Sequence, residues 1–157
     1  MSAAPPSTHH DGLTGLPNRR LLDDRLAQAL HLAQRRDAQL AVMLLALGGL
    51  AVSEDVRLVD IAHRLAACVR RSDTLARFGA REFAFVLCDV RGEAECRAVA
   101  ARVLEALEAA APGSRSAALI GIALYEGGAG DAEALLRNAQ AALYRAREGR
   151  EGICTYR

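Results

Sequence analysis

The chain has 157 residues, with 20 Lys plus Arg against 19 Asp plus Glu, a formal charge of +1 and 52% hydrophobic residues. This fits one compact domain. Charge this balanced offers no basic excess to neutralise a phosphate backbone or to hold an anionic bilayer, so nucleic acid and membrane surfaces are excluded as broad electrostatic partners. The longest apolar stretch, Leu40 to Val52, is interrupted by Gly48 and Gly49 and falls short of the roughly 20 residues that span a bilayer.

The N-terminal MSAAPPSTHH lacks the basic flank and apolar core of a secretory signal, so a cytoplasmic location is expected, with residues 1–10 a flexible leader and 11–157 the domain. Cys68, Cys88, Cys96 and Cys154 are widely spaced, without a CxxC pair or a histidine at zinc-site spacing. They read as buried, reduced thiols. His9 and His10 read as solvated side chains, and neither a metal nor a cofactor is expected. Every basic residue is Arg and Ala occurs 33 times, so an Arg standing where Lys is usual carries little information here.

In chain order, Asn18 opens a helical pattern to about Arg36, with Leu22, Leu26, Ala29, Leu30 and Ala33 recurring at spacings of three and four. Leu40 to Leu47 is a continuous apolar run closed by two glycines, the signature of a central strand covered on both faces. Ser53 is the expected N-cap of a second helix running to Arg71, buried along Leu58, Ile61, Leu65 and Val69. Leu75–Gly79 and Glu82–Cys88 read as a β-hairpin, with Phe83, Phe85 and Leu87 alternating against Ala84, Val86 and Cys88. Glu93 to Ala110 repeats the helical period, Ala117 to Tyr125 is a strand, and Asp131 caps a last helix that Gly149 stops. Ile153 to Tyr156 reads as an edge strand. The pattern predicts an α/β (α+β) domain with a mixed sheet and helices on its faces.

Four segments resemble one family. The run DGLTGLPNRR from Asp11 to Arg20 is similar to the DxLTGLPNRR entry signature of GGDEF domains, the diguanylate cyclase family. RFGAREF, Arg77 to Phe83, stands where that family has RxGGDEF. IGIA, Ile120 to Ala123, stands for SIGIA, and ALYRAR, Ala142 to Arg147, for ALYxAK. The resemblance implies a palm-like domain with a central, mostly antiparallel sheet of about five strands surrounded by helices. Active members join two GTP molecules into cyclic di-GMP, using carboxylates that hold two divalent metals.

Carried over residue by residue, the resemblance also implies losses. The family's first metal Asp falls at Ala46, and the next carboxylate of its DxD falls at Gly48. The third residue of the GGDEF signature is Arg81 between Gly79-Ala80 and Glu82-Phe83, so a cation stands in place of a metal-holding anion. The guanine-binding segment is shortened to Val52-Ser-Glu-Asp55, and the methyl group of Ala80 replaces a glycine that lets phosphates approach. Glu82 survives and is expected to pair with Arg81 or Arg77. Arg147 keeps the charge of the family Lys, although the following Gly149-Arg150 comes one residue early. No catalytic residue is therefore assigned.

Arg70-Arg71-Ser72-Asp73 matches the family's RxxD product site, where Arg and Asp bind cyclic di-GMP. An Arg fork suits guanine O6 and N7, and a carboxylate suits the amino and imino groups. The plainer alternative is that Arg70 complements a helix end while Asp73 caps a turn. Three functions remain open: an inactive regulatory or protein-interaction domain in bacterial cyclic di-GMP signalling, with cyclic di-GMP or a protein as partner; residual cyclase or GTP-binding activity with Arg81 standing in for a metal charge; and a purely structural module that forms a homodimer.

Overall fold

The computed structural model describes residues 8–48, 55–113 and 117–157. The elements are α1 (Arg19–Arg36), β1 (Leu40–Leu47), α2 (Asp55–Ala66), β2 (Thr74–Gly79), β3 (Glu82–Cys88), α3 (Glu93–Ala110), β4 (Ala118–Tyr125), α4 (Ala132–Gly149) and β5 (Ile153–Thr155). The sheet has the order β2-β3-β1-β4-β5. All neighbours are antiparallel except β4 and β5, which run parallel. The expected mixed, mostly antiparallel five-stranded sheet is what forms.

β1 is buried along its whole length because helices cover both faces of the sheet. Successive side chains of a strand point to opposite faces, which splits the core in two. Ala41, Met43 and Leu45 join Phe83, Phe85 and Leu87 against Leu58, Ile61 and Leu65 of α2 and Val103 and Leu107 of α3. Val42, Leu44 and Ala46 join Ala84 and Val86 against Leu22, Leu26 and Leu30 of α1 and Ala139 and Leu143 of α4. The alternation of bulky and small residues along β3 is thus a division of labour between the faces.

Helix ends follow capping chemistry. The Asn18 side chain accepts from the Leu21 amide at 3.0 Å and Asp131 from the Glu133 amide at 3.1 Å, as an N-cap should. The stop of α4 differs from expectation. Arg150, not Gly149, adopts the left-handed conformation with φ 55°, and its amide reaches the Ala146 carbonyl. α2 ends at Ala66 rather than Arg71, and its expected cap Ser53 lies outside the described residues. Of the expected leader, residues 1–7 also lie outside them, whereas Asn18 donates from its side chain to the Thr8 carbonyl at 2.9 Å and from its amide to His9 at 2.8 Å. All four cysteines are free, but only Cys96 is fully buried. Burial, with Glu95 and Glu93 adding to it, pushes the Cys96 thiol up to about 11. Among the described residues no helix is long and apolar enough to cross a membrane, and no group of three or more metal-ligating side chains forms.

Candidate functional site

The β2–β3 hairpin is held by the turn that precedes α1. Asp11 Oδ2 accepts from the Thr14 amide at 2.9 Å and its hydroxyl at 2.7 Å, and Arg77 Nη1 reaches the same oxygen at 3.1 Å. Arg77 donates onward to the carbonyls at the hairpin tip, Ala80 at 2.9 Å and Gly79 at 3.3 Å, while its amide donates to Pro17 at 2.9 Å. Phe78 sits at a register irregularity of β2, with the Arg19 guanidinium 4.4 Å above its ring. The carboxylate that pairs with Arg77 is therefore Asp11, 66 residues away, and not Glu82. Among the described residues neither Glu82 nor Arg81 makes an ion pair.

Burial opposes the charge on Asp11, but the Thr14 amide and hydroxyl and the Arg77 guanidinium outweigh it and hold the carboxyl below its ordinary 3.8. A carboxylate depressed in the folded state stabilises above its unfolded pKa, and the contribution disappears as pH falls through the folded value. Asp11→Ala is expected to cost about 1.5–3 kcal/mol at neutral pH, the range for a hydrogen bond to a charged group. Denaturant melts of the wild type and the variant should converge as the pH falls below 3.8. A difference that persists unchanged at low pH would mean the charge contributes nothing.

The structure brings together the positions to which the resemblance assigns the metal carboxylates. Ala46 pairs across the strand with Glu82, and the Leu47 amide donates to the Arg81 carbonyl at 2.9 Å. Positions 46, 81 and 82 thus surround one spot at the end of β1. The donors do not fit a two-metal centre. Ala46 turns a methyl into the core at 6% exposure, Gly48 has no side chain, and Arg81 brings a positive charge to the exposed tip. The half-buried Glu82 remains, its Oε1 folded close over Gly79. One carboxylate beside a guanidinium cannot neutralise two divalent ions, and like charges about 4 Å apart repel by roughly 4 kcal/mol at an effective dielectric near 20. The tip accommodates Ala80 without strain, since neither Ala80 nor Arg81 has a positive φ. At the adjacent end of the sheet, Arg147 and Arg150 line one cleft with Arg97.

Arg70 and Asp73 do come together. Asp73 Oδ2 accepts from the Arg70 amide at 2.9 Å and from its Nε at 3.5 Å, while Oδ1 accepts from the Cys88 amide at 2.9 Å. Arg70 Nη2 also donates to the Cys88 carbonyl. The Asp73 side chain is only 4% exposed and that of Arg70 is 56% exposed. The carboxylate is committed to the protein and the guanidinium faces solvent. Beside them lies a cavity of about 130 Å³ whose lining includes Cys68, Glu95 and Arg102. Arg102, on the exposed side of α3, is the basic residue that sequence reasoning missed, because nothing in helical periodicity separates it from a solvated charge. Burial raises both neighbouring thiols. At Cys68 the charge of Arg102 opposes the shift, and at Cys88 the carboxylates of Asp73 and Asp89 add to it while Arg70 opposes.

A family model described as the diguanylate cyclase GGDEF domain matches residues 8–152. The chain belongs to the GGDEF family. It is 40% identical over 160 residues to the bifunctional diguanylate cyclase/cyclic di-GMP phosphodiesterase MucR of Pseudomonas aeruginosa, covering 94% of this chain and 23% of that protein. The GGDEF domain of TpbB from the same organism superposes with a TM-score of 0.82 at 34% identity, covering 95% of each chain. The GGDEF domain of DgcB from Caulobacter crescentus, solved in complex with c-di-GMP, shares the fold at a TM-score of 0.80 and 19% identity, covering 99% of this chain and 97% of that one. The GGDEF chain described here thus spans about a quarter of the length of its relative MucR.

Proposed function

We propose that this GGDEF domain is a catalytically silent regulatory module of cyclic di-GMP signalling in the bacterial cytoplasm, acting through binding and contact rather than phosphoryl transfer. The observation that supports it is the pairing of two losses at one spot. Ala46 and Arg81 stand at adjacent positions where two metal carboxylates would be required, so nothing there screens a triphosphate or activates a hydroxyl.

Recognition of cyclic di-GMP falls to Arg70, with Arg102 as the second cation across the cavity and Asp73 as a positioning residue that orients the Arg70 fork. Arg presents paired donors to a guanine edge and binds phosphate oxygens equally well. Calorimetric titration with cyclic di-GMP and with GTP, each with and without magnesium, tests the reading. The expected result is heat with cyclic di-GMP only. Arg70→Ala should weaken that binding by about 1–3 kcal/mol, the worth of a bidentate base contact, and Arg71→Ala should change it little. The runs need one fixed salt concentration because exposed charges are screened. Heat with GTP and magnesium alone would favour residual nucleotide chemistry, and no heat with either would leave a protein-contact module.

A further inference from the structure

The strand order ends at β2 on one side of the sheet and at β5 on the other. The two edges differ. On β2 the Arg77 amide donates to the Pro17 carbonyl at 2.9 Å, so the entry turn covers that edge. On β5 the Gly152 carbonyl accepts from the Ile120 amide at 2.8 Å, and the Tyr156 amide donates to the Ile122 carbonyl at 2.7 Å. Backbone groups alternate in direction along a strand, so Ile153 and Thr155 turn theirs away from β4. Among the described residues no strand lies beyond them. A side chain meets them instead: Arg97 of α3 donates to the Ile153 carbonyl at 3.4 Å and to the Thr155 hydroxyl at 3.1 Å. A short strand and a charged side chain are the usual guards of an exposed edge. This edge is guarded but not covered, because a cleft of about 1300 Å³ opens beside it, lined by Arg97 and Leu104 of α3, Arg147 and Arg150 near the end of α4, and Gly152 and Ile153.

We infer that β5 is a docking edge for an extended, acidic segment of a protein partner, which adds to the sheet as a further strand. Its main chain pairs with the outward backbone groups of Ile153 and Thr155, and Arg97 turns from the Ile153 carbonyl to a carboxylate of the segment. Main-chain bonds of this kind supply affinity without demanding a sequence, while side chains at alternate positions supply the choice of partner. The charges select an acidic one. Glu93 is shared between two guanidinia, Arg157 at 3.1 Å and Arg97 at 3.8 Å. Arg147 and Arg150 add positive charge along the cleft, against Glu151 and against Glu108, whose Oε2 already accepts from the Gly113 amide at 2.7 Å. Leu104 and Ile153 give the segment an apolar wall between these charges. The docking edge is separate from the Arg70 cavity and does not depend on cyclic di-GMP binding there.

Amide NMR of the whole chain with defined probes tests the inference. The probes are a capped hexapeptide alternating Val and Glu, the same peptide with Lys for Glu, and the Glu peptide N-methylated at alternate residues, each added to about 5 mM. The Glu peptide should shift the amide signals of Ile153 and Thr155 and slow their hydrogen exchange. The Lys peptide should bind about fivefold more weakly, and the methylated peptide, which cannot pair along its edge, should not bind. Arg97→Glu should reverse the preference in favour of the Lys peptide, with protection of the Tyr156 amide establishing that β5 is still in place. Arg150→Glu leaves the Arg97 contacts intact and should move the preference in the same direction. Unmoved Ile153 and Thr155 signals at the highest concentration of the Glu peptide would overturn the inference. So would equal binding of the Lys or the methylated peptide to the wild type, or a preference that neither variant changes.

Discussion

Gly121→Ala should be the most damaging single methyl group that can be added to this domain. Gly121 lies in β4 opposite Leu44 of the central strand. A Cβ there would meet the Leu143 amide nitrogen, come within 2.5 Å of the Ala139 carbonyl oxygen and lie 2.8 Å from Leu143 Cα. All three are backbone atoms of α4, so no rotamer change relieves the clash and the helix must lift from the sheet. Lifting it opens the packing of Ala139 and Leu143 on Leu44 and Val42. The expected cost is about 3 kcal/mol, the upper end of ordinary overpacking, or a fall in melting temperature of roughly 6–12 °C for a domain of this size. Gly12→Ala is the control, because a Cβ there meets nothing within 4 Å. Equal melting temperatures for the two variants would show that α4 is not seated on Gly121 as described.

The glycine illustrates what the sequence discloses and what it withholds. The strand around Gly121 is legible from its apolar run, and β1 likewise, because burial on both faces writes itself as unbroken hydrophobicity. The close approach of α4 is not legible, since it depends on how two elements meet. The early end of α2 has the same origin. Val69 continues the helical period, but Asp73 draws in the Arg70 amide and the Cys88 amide together, and that second partner comes from another strand. Likewise, the carboxylate for Arg77 lies in the entry turn, and local spacing pointed to Glu82 instead. At the site, the assignment of positions 46 and 81 rests on resemblance alone. Their adjacency, and the position of Arg102 across the cavity from Arg70, required the fold.

The second large effect concerns carboxylates introduced at positions 46 and 81. Ala46→Asp combined with Arg81→Asp would place two carboxylates at neighbouring positions beside Glu82 and turn the positive charge of the hairpin tip negative. Synthesis of cyclic di-GMP from GTP is nevertheless expected to stay at background. Groups that act as a unit are not rescued one part at a time, and the segment that would hold the base remains the short Val52-Ser-Glu-Asp55. Ala46→Asp also places a charge where a 6% exposed methyl packs against the α1–α4 face of the core, so the repaired protein should be less stable than the wild type. A melting curve on each single variant separates this cost from the benign change at the exposed position 81.

Turnover measures the proposed catalytic silence of the unmodified domain directly. Purified wild-type protein is incubated with GTP and magnesium or manganese, and cyclic di-GMP and pyrophosphate are quantified over time against a control without protein. The expected result is no product above that control at any metal concentration, together with calorimetric binding of cyclic di-GMP that depends on Arg70. Metal-dependent formation of cyclic di-GMP that Glu82→Ala abolishes would contradict it, because a single carboxylate beside Arg81 would then be sufficient for phosphoryl transfer.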